Sequence, residues 1–450
     1  MTSSCQRLSH EEGHATAIGR RATLGAMNDP HIFRVRQIFP RPRVLDIAST
    51  VAAELARLQL GAAIRAGQSV AITAGSRGIA NIVPILRAVA AQVKVLRAEP
   101  FIVPAMGSHG GATAEGQRHV LAAYGITESA CGCPIRSGME TVTLCRAAEG
   151  FPVHMDRNAY QADHVVVVGR VKPHTRFVGD IESGLAKMML IGLGKHAGAL
   201  VYHRAIADFS FDQILRSVVR EVLHRGHIVA GLAVLENAYD ETAMIEGVAP
   251  AEFLRREPEL LRMARNWMPR LPFTRADVLL IDQIGKDVSG AGLDTNVVGR
   301  KYLDHAARED EFPKIRHLAV RGLSPATHGN ATGIGLVEFC RSQVIREIDI
   351  GVTRTNCLTG GHPVAAMLPL DYETDREILD ATLAQIGLTP PAEARILWIA
   401  DTLHLAEIEC SESYWPEVAE RSDLEVLTKP RKLPFGPDGN LPSIDSLSGV

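Results

Sequence analysis

The sequence lacks the features that mark membrane, secreted and nucleic-acid-binding proteins. No stretch approaches about eighteen consecutive apolar residues, so no transmembrane helix is expected. Residues 1–30 are polar and lack the apolar core of a signal peptide. The formal net charge of −3 provides no basic field for nucleic acid. We therefore expect a cytoplasmic protein with no nucleic-acid partner and no membrane partner.

Several common site motifs are also missing. The seven cysteines are odd in number and scattered, which gives no disulfide framework. Cys131 and Cys133 are close together, but no second pair completes a zinc site, so buried or surface thiols are the favoured interpretation. The glycines near Gly192 and Gly290 do not form a dinucleotide-binding fingerprint. A Walker phosphate loop and a Gly-x-Ser-x-Gly elbow are absent from the sequence as well.

The chain has the composition and length of a soluble two-domain protein. Its 450 residues are 46% hydrophobic and 22% charged. Short strands alternate with helices, which predicts an α/β fold with a parallel sheet in a larger N-terminal domain and a smaller α/β domain after it. We expect the site to lie in the cleft between the two domains. The predicted divisions are a flexible tail (1–30), a catalytic and cofactor-binding domain (31–272), a C-terminal α/β domain (273–405) and a C-terminal extension (406–450).

Local patterns predict several individual elements. The valines Val165–Val168 predict a buried central strand. A helix is expected over residues 44–66, a short strand over 133–136 and another helix over 333–345.

Three glycine-containing loops follow strands of the first domain, at residues 75–78, 107–111 and 172–184. In a parallel sheet these loops share one edge, so Arg77, His109 and His174 are expected to converge there. Imidazole titrates near neutral pH, which suits His109 and His174 to general acid and base roles. Arg77 can hold a carboxylate in a bidentate fork. From the residues alone, two alternatives stay open: Arg77 is an ordinary surface arginine, and His109 and His174 are structural histidines.

A lysine and two histidines follow the third loop. Lys187 precedes four apolar residues, which can desolvate its amine and make it nucleophilic, although a lysine on a helix face is the commoner case. His196 and His203 are seven positions apart and so fit one helix face. That spacing is a weak signal for a protein-only metal site.

Taken together, these motifs resemble the nickel-dependent lactate racemase family over roughly residues 40–270. Pro173-His174 followed by Ser183-Gly184-Leu185-Ala186-Lys187 is similar to the family's Pro-His and Ser-Gly-Gly-x-Lys elements. Gly107-Ser108-His109 resembles its Gly-Thr-His loop, and Ser76-Arg77 its Thr-Arg loop.

The resemblance implies a nickel cofactor held by the protein. This is the nickel-pincer nucleotide, pyridinium-3-thioamide-5-thiocarboxylic acid mononucleotide, which depends on cofactor-synthesis and nickel-insertion proteins as partners. The family's tethering lysine corresponds to Lys187, with Ser183 and Gly184 beside the cofactor. The nickel-ligating histidine corresponds to His203, and His196 is the fallback.

The implied activity is that of an isomerase. It is the racemisation or epimerisation of a small-molecule 2-hydroxy acid by hydride abstraction and return through the tethered cofactor. The catalytic histidines correspond to His109 and His174, and Arg77 contacts both cofactor and substrate carboxylate. Lys286 and Asn296 are the expected substrate contacts from the second domain. Another 2-hydroxy acid or a sugar acid is expected as the substrate in place of lactate itself.

The sequence departs from the family pattern at several positions. Ala74 replaces an acidic residue, Gly110 an arginine and Leu185 a glycine. Asp294 and His328 are further second-domain residues to test. Two alternatives stay open: a metal-dependent hydrolase or lyase that uses the same histidines, and a non-catalytic protein that binds the cofactor or a hydroxy acid.

Overall fold

The structure is a computed structural model that describes residues 29–447. Its strands are β1 (Ile32–Gln37), β2 (Ser69–Ala74), β3 (Glu99–Pro104), β4 (Thr141–Arg146), β5 (Pro152–Asp156), β6 (His164–Arg170), β7 (Ile228–Glu236), β8 (Thr242–Val248), β9 (Arg275–Ile281), β10 (Lys314–Val320), β11 (Phe339–Arg341), β12 (Leu370–Tyr372), β13 (Ile396–Ile399), β14 (Glu407–Ser411) and β15 (Leu424–Val426). Its α-helices are α1 (Ile47–Arg57), α2 (Ile82–Val95), α3 (Ala114–Ala123), α4 (Glu128–Cys131), α5 (Arg157–Tyr160), α6 (Leu185–Lys187), α7 (Lys195–Ala205), α8 (Phe211–Arg225), α9 (Phe253–Trp267), α10 (Thr295–Val298), α11 (Ser342–Glu347), α12 (Ile350–Thr359), α13 (Asp375–Leu383) and α14 (Trp415–Ala419). The α/β fold class is therefore confirmed. The predicted tail over residues 1–30 lies, apart from its last two residues, outside the described residues.

The valine run forms the centre of the first sheet. This five-stranded sheet has the order β3-β2-β6-β7-β8, and its first four strands are parallel. Val165 and Val167 pack into one hydrophobic cluster, and Val166 and Val168 pack into another. Because alternate side chains point to opposite faces of a strand, both faces of β6 are buried, as a central parallel strand requires.

The parallel register brings the carboxyl ends of four strands to one edge. Ala74 at the end of β2 pairs with Pro104 at the end of β3, and Arg170 at the end of β6 pairs with Val234 near the end of β7. The loops that follow these strands therefore emerge side by side, which is where open α/β sheets usually bind ligands.

The second sheet contains both the first and the last strands of the described chain. It has eight strands in the order β12-β11-β10-β9-β13-β14-β1-β15. The strands from β12 to β13 are parallel, whereas β14, β1 and β15 pair antiparallel. Phe33 of β1 lies opposite Cys410 of β14. Residues 32–37 thus pair with the C-terminal sheet, and the exact domain boundaries stay a prediction.

Three local expectations need correction. The helix expected over 333–345 is instead a 3₁₀ turn (Ile334–Leu336), then β11, then α11. Cys340 pairs with Val320 in the parallel sheet, and short apolar runs do not separate strand from helix by periodicity. Residues 133–136 contribute only the isolated bridge of Ile135 to Ile102. The helix expected over 44–66 is shorter, at Ile47–Arg57, with a 3₁₀ turn after it.

Side chains from the two sheets meet across a cleft. The Thr295 hydroxyl donates to the Thr175 carbonyl, and the Asn296 amide donates to the His174 carbonyl at 3.2 Å. Lys301 forms a buried ion pair with Glu182 at 2.6 Å. No helix between residues 29 and 447 combines the length and the apolar character that a membrane crossing requires.

Candidate active site

The loops after β2 and β3 supply the first wall of the cleft. The Ser76 hydroxyl and His109 Nδ1 share a hydrogen bond, which links the two loops. A Cβ built on Gly290 would lie 3.3 Å from Arg77 Nη2, so the second sheet's loop approaches Arg77 closely. Arg77 and His109 retain exposed surface although protein surrounds them, as expected for the lining of a cleft.

The loop after β6 fixes the orientation of His174. Its Nδ1 accepts the backbone N–H groups of Phe177 at 2.9 Å and Arg176 at 3.1 Å. In the neutral ring the hydrogen then resides on Nε2, which is a donor. The backbone N–H of His174 donates to Glu182 at 2.8 Å. Hydrogen bonds of the backbone N–H and of the ring Nδ1 therefore fix the position of the half-buried His174 side chain.

Lys187 stands on a short helix that begins at a strained glycine. Gly184 has φ +124°, a conformation that favours glycine. The Glu257 carboxylate from α9 occupies the space where a Gly184 side chain would lie, with Oε1 2.1 Å from an ideal Cβ. Glu257 Oε2 accepts the N–H of Ala186 at 2.9 Å, and it also bonds the N–H of Leu185. Glu257 thus caps the turn that presents Lys187.

Phe177 lies at the centre of the cluster. Its ring stacks on His174 with a centroid separation of 4.3 Å and on Phe211 at 3.9 Å. Lys187 Nζ is 5.2 Å from the Phe177 centroid, and the His203 ring is 6.2 Å away. Sequence reasoning missed Phe177, although it is the only aromatic residue between His174 and Gly184.

The site is electrostatically positive. Burial and the nearby Arg77 charge lower the pKa of Lys187 to about 7. Burial and the charges of Arg77, Lys286 and Lys187 lower the pKa of His109 to about 3. Burial, followed by Lys187 and other cations, holds the pKa of His174 well below its usual range. Such a cluster of cations favours an anionic ligand, and it leaves both histidines neutral at pH 7.

The second-domain residues divide into two groups. Burial, with Arg77 second, lowers the pKa of Lys286 to about 8, and its Nζ donates to Asn356 Oδ1 at 2.8 Å. Asn296 instead bridges the His174 carbonyl and Asp294 Oδ1, so its amide group stabilises the cleft wall. His328 is exposed in a left-handed turn with φ +49°. Asn356 was not anticipated from the sequence, which carries no motif around it.

The remaining predicted cofactor residues also have defined positions. The Ser183 hydroxyl donates to the Lys172 carbonyl at 2.6 Å and closes the loop before Gly184. His203 and His196 are both half-buried on α7. Burial and the charge of Lys187 lower the pKa of His203. The contact with Phe177 and the influence of Lys187 place His203 with the cluster.

A metal site made only of protein ligands is not supported. Within residues 29–447, no group of three or more His, Cys, Asp or Glu side chains is arranged to hold a metal ion. His109, His174 and His203 therefore do not form such a group. A metal that received one ligand from the protein and the others from a bound organic group is compatible with the arrangement.

Comparisons with known proteins give a family match and similar solved structures. Residues 47–210 match the lactate racemase N-terminal domain. The fold is similar to that of the lactate racemase apoprotein from Thermoanaerobacterium thermosaccharolyticum, with 12% identity and a TM-score of 0.51 over 83% of this chain and 99% of that chain. A protein from Thermotoga maritima has 10% identity and a TM-score of 0.45 over 71% of this chain and 80% of that chain. No curated protein gives a significant match. The resemblance to the lactate racemase family that the motifs predict is therefore confirmed for this N-terminal part of the chain.

Proposed function

We propose that the protein is a racemase or epimerase of a 2-hydroxy acid that works with a lysine-tethered nickel-pincer nucleotide. The observation that carries the proposal is the environment of Lys187. Its amine has a pKa of about 7, lies 5.2 Å from the centroid of the Phe177 ring, and lowers the pKa of His203. An amine that is partly neutral at pH 7 is suited to covalent attachment.

The residues present fit this cofactor. Lys187 would hold it through a thioamide, and His203 would supply the protein's one ligand to nickel. Arg77 and Lys286 would balance the negative charge of phosphate or carboxylate groups. Sulfur ligands from the cofactor together with one imidazole suit square-planar nickel. When bound, the cofactor supplies a reversible acceptor of hydride.

The chain's own residues supply substrate orientation and proton transfer. Arg77 would hold the substrate carboxylate in a bidentate fork. Burial and three neighbouring cations keep His109 neutral in the unliganded protein. A bound substrate carboxylate would offset those cations and make the ring more basic, so we assign His109 as the acceptor of the hydroxyl proton. His174 uses Nδ1 to accept two backbone N–H groups, so its Nε2–H is oriented to donate.

The second-domain wall supports a polar substrate. Asn356 Oδ1 accepts from Lys286 and from the Thr332 hydroxyl at 3.1 Å. These groups form a hydrogen-bonding surface beside Arg77, to which Lys286 is electrostatically coupled. The additional hydroxyl groups of a polyhydroxylated acid would form hydrogen bonds with this surface, whereas lactate has no additional hydroxyl group. We therefore propose a sugar acid as the substrate class.

The test is the intact mass of protein produced together with the cofactor-synthesis and nickel-insertion proteins. We expect a nucleotide adduct on Lys187 and bound nickel in equal amount. Lys187→Arg should remove the adduct, whereas Lys172→Arg, a lysine on the loop after the same strand, should retain it. Unmodified wild-type protein without nickel would contradict the proposal.

Product analysis then separates a catalyst from a binding protein. Loaded protein should convert one configuration of a 2-hydroxy acid to the other, as measured by chiral chromatography, and His109→Gln should slow this conversion by roughly a hundredfold or more. An adduct without any inversion across a panel of hydroxy acids and sugar acids would indicate a non-catalytic role.

A further inference from the structure

A second cavity lies at the opposite edge of the eight-stranded sheet. It has a volume of about 690 Å³ and is lined by residues near the beginnings of β9, β10 and β13. These strands are parallel, so their amino ends lie away from the loops that form the cleft. The volume is in the range of small-molecule sites, which is about 300–1,000 Å³.

The lining of this cavity is rich in cationic side chains. It includes five lysine or arginine residues and two acidic residues: Arg275, Arg300, Lys314, Arg316, Arg395, Asp277 and Glu393. Within residues 29–447, Arg275, Lys314 and Arg316 form no ion pair, whereas Arg395 pairs with Glu417 outside the cavity lining. Asp277 and Glu393 offset part of this charge, but the lining keeps an excess of cationic side chains, which attracts anions.

Arg300 is the most buried cation of this lining and is only 2% exposed. Its Nη2 donates to the Ile315 carbonyl at 3.1 Å and lies 3.4 Å from Glu338. Its Nε is buried and has no hydrogen-bond partner. Glu338 also accepts from the backbone N–H of Leu318 at 2.8 Å, so it is shared. A buried guanidinium with an unpartnered donor is costly unless an anion nearby compensates the charge.

We propose that this cavity is a second binding site, which takes a small molecule carrying two or more phosphate groups or an equivalent set of carboxylates. Guanidinium groups bind both kinds of oxyanion through paired N–H donors. The spread of cations across the cavity favours a ligand with several charged groups over a single one.

The site is connected to the cleft by one short segment. Arg300 follows α10 after one residue, Gly299, and Lys301 next to it forms the buried ion pair with Glu182. In α10, Asn296 bonds the carbonyl of His174. An anion that fixes Arg300 is therefore expected to slow hydrogen exchange in residues 294–301.

The experiment is calorimetric titration of the full-length protein, without nickel cofactor, with inorganic triphosphate at low salt. We expect saturable binding, protection of residues 294–301 and a rise in melting temperature. The double variant Arg275→Gln/Arg316→Gln should weaken binding by roughly tenfold or more, because two charge-assisted contacts are lost. Arg65→Gln removes an exposed arginine from the other sheet's side and serves as the matched control. Citrate in place of triphosphate shows whether phosphate or carboxylate groups are preferred.

The cleft is also cationic, so the design must separate the two sites. Binding that persists in Arg77→Gln and is lost in the double variant supports the second site. Binding that is lost in Arg77→Gln and retained in the double variant overturns it, as does equal weakening by Arg65→Gln or the absence of binding. Circular dichroism of each variant verifies that it is folded. Because the cofactor is not used, failure here is independent of the proposed racemase activity.

Discussion

Glu257 provides a quantitative test of how the lysine turn is held. The carboxylate is fully buried, and burial raises its pKa from 4.5 to about 8. Its Oε1 has no hydrogen-bond partner, while Oε2 accepts the backbone N–H groups of Ala186 and Leu185. The folded protein therefore prefers the protonated form at neutral pH.

The sign and size of the effect follow from the two pKa values. The pKa of Glu257 is higher in the folded state than in the unfolded state. The stabilisation that protonated Glu257 provides is therefore complete below pH 4.5 and is lost as the pH rises towards 8. At about 1.4 kcal/mol for each pH unit, the full change is on the order of 5 kcal/mol. Glu257→Gln keeps the shape of the side chain but cannot ionise. The free energy of unfolding of Glu257→Gln should therefore increase relative to that of wild type as the pH rises across this window.

The assay is urea denaturation of both proteins between pH 5.5 and 8. The difference in the free energy of unfolding should grow by about 3 kcal/mol across that range. Glu259→Gln is the control, since the pKa of Glu259 is lowered by its bond to Arg256 and the group stays ionised in this window. Parallel curves for wild type and Glu257→Gln would refute the reasoning.

Three further results are expected. In urea denaturation, Gly184→Ala should lower the free energy of unfolding by about 3 kcal/mol or more, because its Cβ would meet Glu257 and φ is +124°. Gly67→Ala, where φ is +81° and the surrounding space is open, should lower it by only about 1 kcal/mol. Equal losses would show that the contact with Glu257 is unimportant. In protein without cofactor, the rate of trace acetylation of Lys187, measured by peptide mass spectrometry, should reach half of its maximum near pH 7. A midpoint near pH 10 would show that the amine is not desolvated. The ring proton signal of His109 in NMR should not shift between pH 5 and 8, since its pKa is about 3, and a midpoint near 6.5 would show that the ring is solvated.

The sequence was most informative where strand topology alone positions a residue. Arg77, His109 and His174 each follow a parallel strand, so their shared edge follows from the order of strands and loops. Phe177 and Glu257 were missed for a different reason. Phe177 reaches the centre of the site only because its loop folds back, and Glu257 comes from α9, more than one element away. Neither contact is visible from local spacing.

The error at residues 333–345 has a related cause. The stretch contains enough apolar residues for a helix, but Phe339 and Cys340 pair with Ala319 and Val320. Tertiary pairing with β10 thus overrides local preference. Asn296 illustrates the same limit in the cleft, because its two partners show a bridging amide that sequence position does not reveal.

The position of β1 has a consequence for synthesis of the chain on the ribosome. Phe33 and its partner Cys410 are 377 positions apart, and β1 also pairs with β15. The five-stranded sheet, by contrast, is built from one continuous stretch, residues 69–248. At about 5–20 residues per second, β1 must wait on the order of tens of seconds for its partners to be translated. During that interval β1, which has three apolar side chains and unpaired backbone groups, is open to chaperones. The eight-stranded sheet is therefore completed only after residue 426 has been translated.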